Sequence, residues 1–147
     1  MREDITVRFA EIDDLDYCQK MEFDPILPSI TKEKLEYLIE EKEIVIAEIN
    51  NNPVGYLRLE YLWHKIPYIG LILVDEGHRR IGVGKSLLAF TERHLKSTGH
   101  KTLYSSSTQN EPEPQEWHRH VGFEECGIIE GINEGNIGEV IFRKQIT

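Results

Sequence analysis

The residues with the clearest chemical potential form a short loop between an apolar segment and an amphipathic one. The loop reads Asp75-Glu76-Gly77-His78-Arg79-Arg80-Ile81-Gly82-Val83-Gly84-Lys85-Ser86. Its second half predicts the first turn of a helix, where N–H groups lack intrahelical partners and carry partial positive charge. The glycines let a ligand approach the backbone closely, and three basic side chains add positive charge. The segment therefore predicts an anion site suited to a phosphate or pyrophosphate.

Several kinds of loop fit this spacing in part. A Walker A loop requires a glycine separated by four residues from Gly84-Lys85-Ser86, but Arg79 stands there. A Rossmann fingerprint requires a third glycine where Leu87 stands, and it opens the first βα unit, whereas this loop lies in mid-chain. A helix start that simply uses glycines is the purely structural alternative. Spacing alone leaves these interpretations open.

A third functional fit is to a family. Arg79-Arg80-Ile81-Gly82-Val83-Gly84 resembles the Arg/Gln-x-x-Gly-x-Gly/Ala acyl-CoA loop of the GNAT family of N-acetyltransferases. Leu73-Val74-Asp75-Glu76 precedes the loop as that family's central strand and its exit do, and Gly122-Phe123 resembles the end of its Tyr-x-x-x-Gly-Phe segment. Trp63–Pro67, before the apolar strand, resembles bacterial members. The resemblance covers nearly the whole chain.

The resemblance implies that acetyl-CoA is the co-substrate. The backbone of Leu73 and Val74 would pair with the pantetheine arm, which Asn110 would also contact. The amides of Arg80 through Ser86 would bind the pyrophosphate. The predicted residues of this loop are Arg79, Arg80, Ile81, Gly82, Val83, Gly84, Lys85 and Ser86.

The implied reaction is direct attack of a primary amine on the thioester of acetyl-CoA. An alkylamine has a pKa of about 10.4 and must lose a proton first, and Glu60 is our predicted base. The leaving thiolate gains a proton, which many members supply from a tyrosine. His118 occupies that position here and is our predicted acid, with Tyr104 as a weaker substitute.

The histidine at position 118, where many members have tyrosine, motivates a second hypothesis. The protein would then be a non-catalytic acyl-CoA-binding or sensing module. A P-loop-type nucleotide binder is a third. For an enzyme, the expected acceptor is a small-molecule amine, a protein N-terminus or a lysine; acidic residues such as Glu11, Asp13 and Asp14 near the cleft would favour a cationic one. A homodimer is compatible with the family. The histidines show no ligand spacing, so we predict no metal.

Periodicity and chain breakers predict the elements that must position these residues. Strands are expected at 5–9, 44–49, 54–62, 68–74, 102–105, 123–129 and 139–143, and helices from Asp13 or Asp14 to about 23, then at 31–42, 82–97 and 115–121. The order β α α β β β α β α β β predicts a mixed α/β fold. In this GNAT-like fold we expect a mostly antiparallel sheet with helices on both faces. Residues 107–114 are predicted to be a loop, and strand 68–74 to be buried on both faces.

Length and charge narrow the classes further. The chain has 147 residues, 26 acidic and 17 basic side chains and a net charge of −9. We expect one domain over residues 1–147, and no binding to nucleic acid or an anionic membrane. No apolar stretch is long enough to span a bilayer, and residues 1–4 do not read as a signal peptide. Cys18 and Cys126 are expected to be half-buried free thiols in a cytoplasmic protein.

Overall fold

The computed structural model describes residues 4–147. Its strands are β1 Thr6–Phe9, β2 Ile44–Ile49, β3 Asn52–Leu62, β4 Ile66–Val74, β5 Thr102–Thr108, β6 Glu124–Asn133 and β7 Ile137–Gln145. Its α-helices are α1 Leu15–Met21, α2 Lys32–Glu40, α3 Val83–Ser97 and α4 Pro112–His120. Short 3₁₀ turns lie at Ile12–Asp14 and Glu76–His78. The predicted order of strands and α-helices is confirmed.

The seven strands form one mixed sheet in the order β1-β2-β3-β4-β5-β7-β6. The pairs β1–β2, β2–β3, β5–β7 and β6–β7 are antiparallel, and β4–β5 is parallel with Tyr68 opposite Tyr104. A parallel pair needs a crossover connection, and α3 supplies it. The predicted mostly antiparallel α/β fold is therefore confirmed.

The described chain divides into two compact units. The first extends to Leu59 and resumes over Leu71–Thr91; the second comprises Glu60–Gly70 and Glu92–Thr147. Two strands, β3 and β4, and helix α3 have residues in both units. The single domain expected from length stays a prediction.

The first unit has its core around α2. The apolar face of this helix, formed by Leu35, Leu38 and Ile39, is buried. Thr31 caps the helix, because its Oγ1 accepts a hydrogen bond from Lys34 N at 3.1 Å. The helix ends at Glu40, two residues before the expected end.

A charged cluster is also buried in the first unit. Glu22, only 8% exposed, accepts from Tyr56 Oη at 2.7 Å and from Arg58 Nε at 2.6 Å. Burial of a carboxylate is tolerated when it is paired and hydrogen-bonded. The charge and hydroxyl partners therefore explain how an acidic side chain lies among apolar ones.

A glycine in β3 lets α3 approach the sheet within the first unit. A Cβ at Gly55 would lie 2.6 Å from Val83 Cγ1 and 3.1 Å from Leu87 Cδ1. Real Cβ atoms do not sit that close to a neighbouring carbon, so the position admits only hydrogen. The start of α3, which follows the predicted phosphate loop, is thereby set against β3.

The second unit corrects the predicted loop at residues 107–114. Strand β5 continues to Thr108, with Ser107 opposite Val140 and Thr108 opposite Glu139 on β7. Ladder pairing satisfies the backbone of these polar residues, which looked like a loop in the sequence. Helix α4 begins at Pro112, because prolines are tolerated in a first helical turn that needs no N–H donors.

Three other expectations are revised. Strand β4 is not buried on both faces: Leu73 is 37% exposed. Cys18 and Cys126 are free thiols as expected, but the first is fully buried and the second exposed. The first helix begins at Leu15, after a 3₁₀ turn that contains the expected start at Asp13 or Asp14, and the Asp14 side chain bonds Arg8.

The prediction that residues 1–4 are not a signal peptide falls mostly on residues 1–3, which lie outside the described part of the chain. Within residues 4–147, no helix is both long and apolar enough to cross a membrane. A cytoplasmic location stays a prediction.

Candidate functional site

The loop between β4 and α3 is fixed at its start by backbone hydrogen bonds. Asp75 N donates to Val54 O at 2.9 Å, and His78 N donates to Asp75 O at 2.9 Å within the 3₁₀ turn. Arg79 Nε donates to Val74 O at 3.3 Å. The chain thus leaves β4 in a defined direction before it reaches the glycines.

Two left-handed residues then turn the chain into the helix. Arg80 has φ +66° and Gly82 has φ +97°. The left-handed region costs an L-residue about 1–2 kcal/mol, whereas glycine enters it without a Cβ penalty. Gly82 is therefore required by the turn, as its place in the motif suggested.

The first turn of α3 presents three backbone donors. Ser86 N donates to Gly82 O at 2.9 Å, and this is the first α-helical hydrogen bond. The amides of Val83, Gly84 and Lys85 precede it and have no acceptor within the helix. Val83 is 1% exposed, so its buried side chain anchors the turn from below. Three adjacent N–H groups at a helix N-terminus are a suitable site for a phosphate.

One amide of the predicted donor set already has an acceptor within the helix. The Ser86 amide was expected to bind the pyrophosphate, but it is used inside the helix. The cations Arg79, Arg80 and Lys85 belong to the same loop and first turn and are exposed. Together with Gly84, which leaves the second helical position without a side chain, these residues fit a diphosphate.

His118, the predicted acid, lies in the second unit and is 3% exposed. Its Nδ1 is 2.6 Å from Pro114 O, and its Nε2 is 2.7 Å from Ser105 Oγ. A carbonyl only accepts, so Nδ1 carries the proton and donates. In the neutral ring Nε2 then accepts from the serine hydroxyl.

Burial keeps this ring neutral. Desolvation lowers the pKa of His118 below its usual 6.5, although the Pro114 carbonyl and the charge of Glu139 oppose the shift. The ring stacks on Phe142 at 4.5 Å and meets Phe123 edge-on at 5.3 Å. His118 is held as a core residue with both ring nitrogens hydrogen-bonded.

The structure places the other predicted residues as follows. Leu73, Val74 and residues 79–86 lie in the first unit, while Glu60, Asn110 and His118 lie in the second. Glu60 is half-buried on β3, and Asn110 is exposed in the turn before α4. In residues 4–147 no three His, Cys, Asp or Glu side chains are grouped to hold a metal ion.

Sequence reasoning missed a polar chain in the second unit. Tyr68 Oη lies 2.5 Å from Ser106 Oγ, which donates to Glu139 Oε2 at 2.5 Å. Asn133 Nδ2 donates to the other carboxylate oxygen, Oε1, at 2.9 Å. The four residues come from four strands, so no local spacing could reveal them. The one signal is the polar run Ser105–Thr108, in which the sequence predicts Ser105 as strand and Ser107 and Thr108 as loop.

Comparison with known proteins agrees with this geometry. Residues 9–123 match the family model described as Acetyltransferase (GNAT) family. Curated protein sequences gave no significant match.

Solved structures are similar over nearly the whole chain. A GNAT-family acetyltransferase from Bacillus cereus ATCC 10987 shares 27% identity, with 97% of each chain covered and a TM-score of 0.80. The ribosomal-protein-S18-alanine N-acetyltransferase of Escherichia coli shares 17%, with coverage of 98% and 95% and a TM-score of 0.78. The yncA protein of Salmonella typhimurium, solved with its cofactor acetyl-CoA, shares 13%, with the same coverage and a TM-score of 0.81. The last two share the fold.

The loop, the topology and the match over residues 9–123 agree, and the chain belongs to the Acetyltransferase (GNAT) family. Its class of activity is acetyl-CoA-dependent N-acetyl transfer.

Proposed function

We propose that this protein transfers the acetyl group of acetyl-CoA directly to a primary amine. The observation that carries the proposal is the start of α3, where the amides of Val83, Gly84 and Lys85 precede the first helical hydrogen bond. Arg80 and Lys85 add charge beside them. The site offers donors and positive charge to a diphosphate in a protein whose net charge is −9.

The apolar end of β4 supports the position of the pantetheine arm. Leu73 is 37% exposed at the strand end that leads into the loop. We propose that the backbone of Leu73 and Val74 pairs with the arm as an added strand would, and that Asn110 contacts it. Ile81, which is 41% exposed, offers an apolar surface beside the phosphates.

The chemistry follows from holding the two substrates together. The nitrogen of a neutral amine attacks the thioester carbonyl, a C–N bond forms, and the C–S bond breaks to release the thiolate of CoA. A strand amide near Leu73 or Val74 would stabilise the negative charge that develops on the carbonyl oxygen. Glu60 is the base nominated by the sequence.

The surroundings of His118 favour a packing role over proton donation. Its single N–H is donated to Pro114 O, so protonation of the thiolate would require that bond to break. We propose that the thiolate leaves without a protein acid, since its own basicity is modest.

The acceptor is proposed as a small-molecule amine, a protein N-terminus or a lysine. The E. coli neighbour is described as acting on an alanine of a ribosomal protein, which supports including a peptide N-terminus. Asp14 is engaged with Arg8 at 2.7 Å, so it adds little to the attraction of a cationic acceptor.

Gly84→Tyr tests the cofactor site. The new ring would fill the approach to the first-turn amides. Acetyl-CoA at a hundredfold excess over its dissociation constant stabilises a binding protein by about 2.7 kcal/mol, and we expect the variant to lose that stabilisation. The measurement is thermal unfolding with and without acetyl-CoA, followed by acetyl transfer to spermidine, an aminoglycoside and a peptide with a free N-terminal alanine.

Gly127→Tyr is the matched control, because a Cβ at Gly127 meets nothing within 4 Å. It should keep the acetyl-CoA shift. A Gly84→Tyr variant that is folded and still stabilised by acetyl-CoA would contradict the proposed site. Tight binding by the wild type without transfer to any amine would instead support the non-catalytic alternative.

A further inference from the structure

The two faces of β5 carry different chemistry. Leu103, Ser105 and Ser107 alternate on the buried face, and Ser105 bonds His118 there. The residues between them are half-buried. Ser106 belongs to this second face, and it joins Tyr68 of β4 to Glu139 of β7. Polar groups at half-buried positions are shielded from bulk water and still within reach of a ligand.

The number of hydroxyl hydrogens determines the direction of the hydrogen bonds that join Tyr68, Ser106 and Glu139. Ser106 has one hydroxyl hydrogen, and it is donated to Glu139 Oε2, which as a carboxylate only accepts. The hydrogen between Tyr68 and Ser106 must therefore come from the phenol. Toward any further partner, Tyr68 Oη acts as an acceptor.

From this orientation we propose that Tyr68, Ser106 and Glu139 form a proton relay for the attacking amine. The inference rests on the proposed N-acetyl transfer. The amine proton passes to Tyr68 Oη, the phenol proton passes to Ser106 Oγ, and the serine proton passes to Glu139 Oε2. The N–C bond forms with the nitrogen lone pair that this releases. The net result is one proton moved from the amine to the carboxylate, with no oxidant or other reactant needed.

Asn133 makes Glu139 a defined end of the relay. Its Nδ2 donates to Glu139 Oε1 at 2.9 Å and also lies 3.3 Å from Gly138 O. The amide fixes one carboxylate oxygen and turns the other toward Ser106. In this role Asn133 is a positioning residue.

The relay is an alternative to Glu60, the base predicted from the sequence. Glu60 would accept the proton on its own carboxylate, whereas the relay moves several protons through hydroxyl groups. Glu60→Gln and Tyr68→Phe therefore separate the two routes. Phenylalanine keeps the ring of Tyr68 and removes only the oxygen.

The experiment measures single-turnover acetyl transfer to the alanine peptide or spermidine in mixtures of H₂O and D₂O. Tyr68→Phe, Ser106→Ala and Glu139→Gln should each slow transfer by about 10²-fold, a usual share for general base catalysis. When the wild-type rate is plotted against the fraction of D₂O, the points should fall on a curve rather than a straight line, because several protons move together. The curve should straighten in Tyr68→Phe and Ser106→Ala, and the dissociation constant for acetyl-CoA should not change.

Matched controls are Tyr37→Phe, on an exposed face of α2, and Glu134→Gln, in the β6–β7 turn. Both should keep the wild-type rate and curve. Tyr68→Phe with the wild-type rate beside a slowed Glu60→Gln would overturn the relay. So would a slowed Tyr68→Phe whose isotope curve is unchanged, since that marks a structural role. A wild type that binds acetyl-CoA and acetylates neither amine contradicts the proposed function together with the relay.

Discussion

At the scale of single residues, His118 shows that a side chain able to donate a proton can instead serve in packing. Its position in the sequence implied an acid, because tyrosine serves there in the family it resembles. The structure gives the ring two internal hydrogen bonds and an aromatic neighbour at 4.5 Å. The side chain that best supports proton movement, Tyr68, lies in another part of the chain.

His118→Phe tests this assignment through stability. Ser105 Oγ and Pro114 O would lose their partner, at a cost of about 1–3 kcal/mol in the free energy of unfolding. The stack on Phe142 is kept. We expect acetyl transfer by the folded variant to stay near the wild-type rate. A variant with native stability and lost turnover would restore the acid role.

The same variant should alter the pH dependence of stability. Burial lowers the folded-state pKa of His118 below 6.5, so the unfolded chain takes up the proton at higher pH. Stability contributed by the neutral ring is then complete above about pH 6.5 and falls as the pH drops below that value. His118→Phe should flatten this part of the curve, as measured by urea unfolding between about pH 7 and pH 5. His120→Phe, exposed on the same helix, should not.

At the scale of elements, the proposed cofactor loop depends on how α3 packs against β3. Gly55 on β3 has no room for a Cβ beside Val83 and Leu87. Val83 is also the first residue of α3. A local property of β3 therefore determines where the first-turn amides lie.

Gly55→Ala should displace the start of α3. Overpacking of this kind costs about 1–3 kcal/mol, and the shifted amides should bind acetyl-CoA more weakly. Chemical unfolding and a calorimetric titration with acetyl-CoA measure the two effects. Gly127→Ala, where the new Cβ meets nothing within 4 Å, is the control. An unchanged affinity in a destabilised Gly55→Ala would show that the seating of α3 does not govern the site.

Strand β5 and helix α4 show why the sequence predicts the bounds of some elements incorrectly. The run from Ser105 to Thr108 has little apolar character, and Pro112 and Pro114 follow it. The ladder with β7 holds the strand to Thr108. Hydrogen bonds to a strand distant in sequence stabilise β5 where local strand propensity is low, as is common for strands.

At the scale of the whole molecule, the distribution of charge favours a local anion site over a broad anion-binding surface. The net charge is −9, while Arg79, Arg80 and Lys85 are concentrated at one loop. In the proposed function, the diphosphate of acetyl-CoA needs only that loop and the first turn of α3. A nucleic acid needs a broad basic face to release counterions.

We therefore expect no binding of a short labelled DNA duplex at low salt, measured by fluorescence anisotropy, under conditions where acetyl-CoA binds. Arg80→Gln should weaken acetyl-CoA binding without changing the DNA result. Duplex binding that is lost with added salt would show a basic surface which the charge count does not reveal.

The order of elements and the family resemblance were determined by the sequence alone, and so was the prediction of a phosphate loop. These features depend on periodicity, on glycines at a tight turn and on the free donors of a helix start, all of which are local. Only the tertiary structure decided which tautomer His118 adopts and that Tyr68, Ser106 and Glu139 meet. Those outcomes depend on burial and on pairing between strands far apart in the chain, where each side chain's chemistry is set by neighbours that its own segment does not contain.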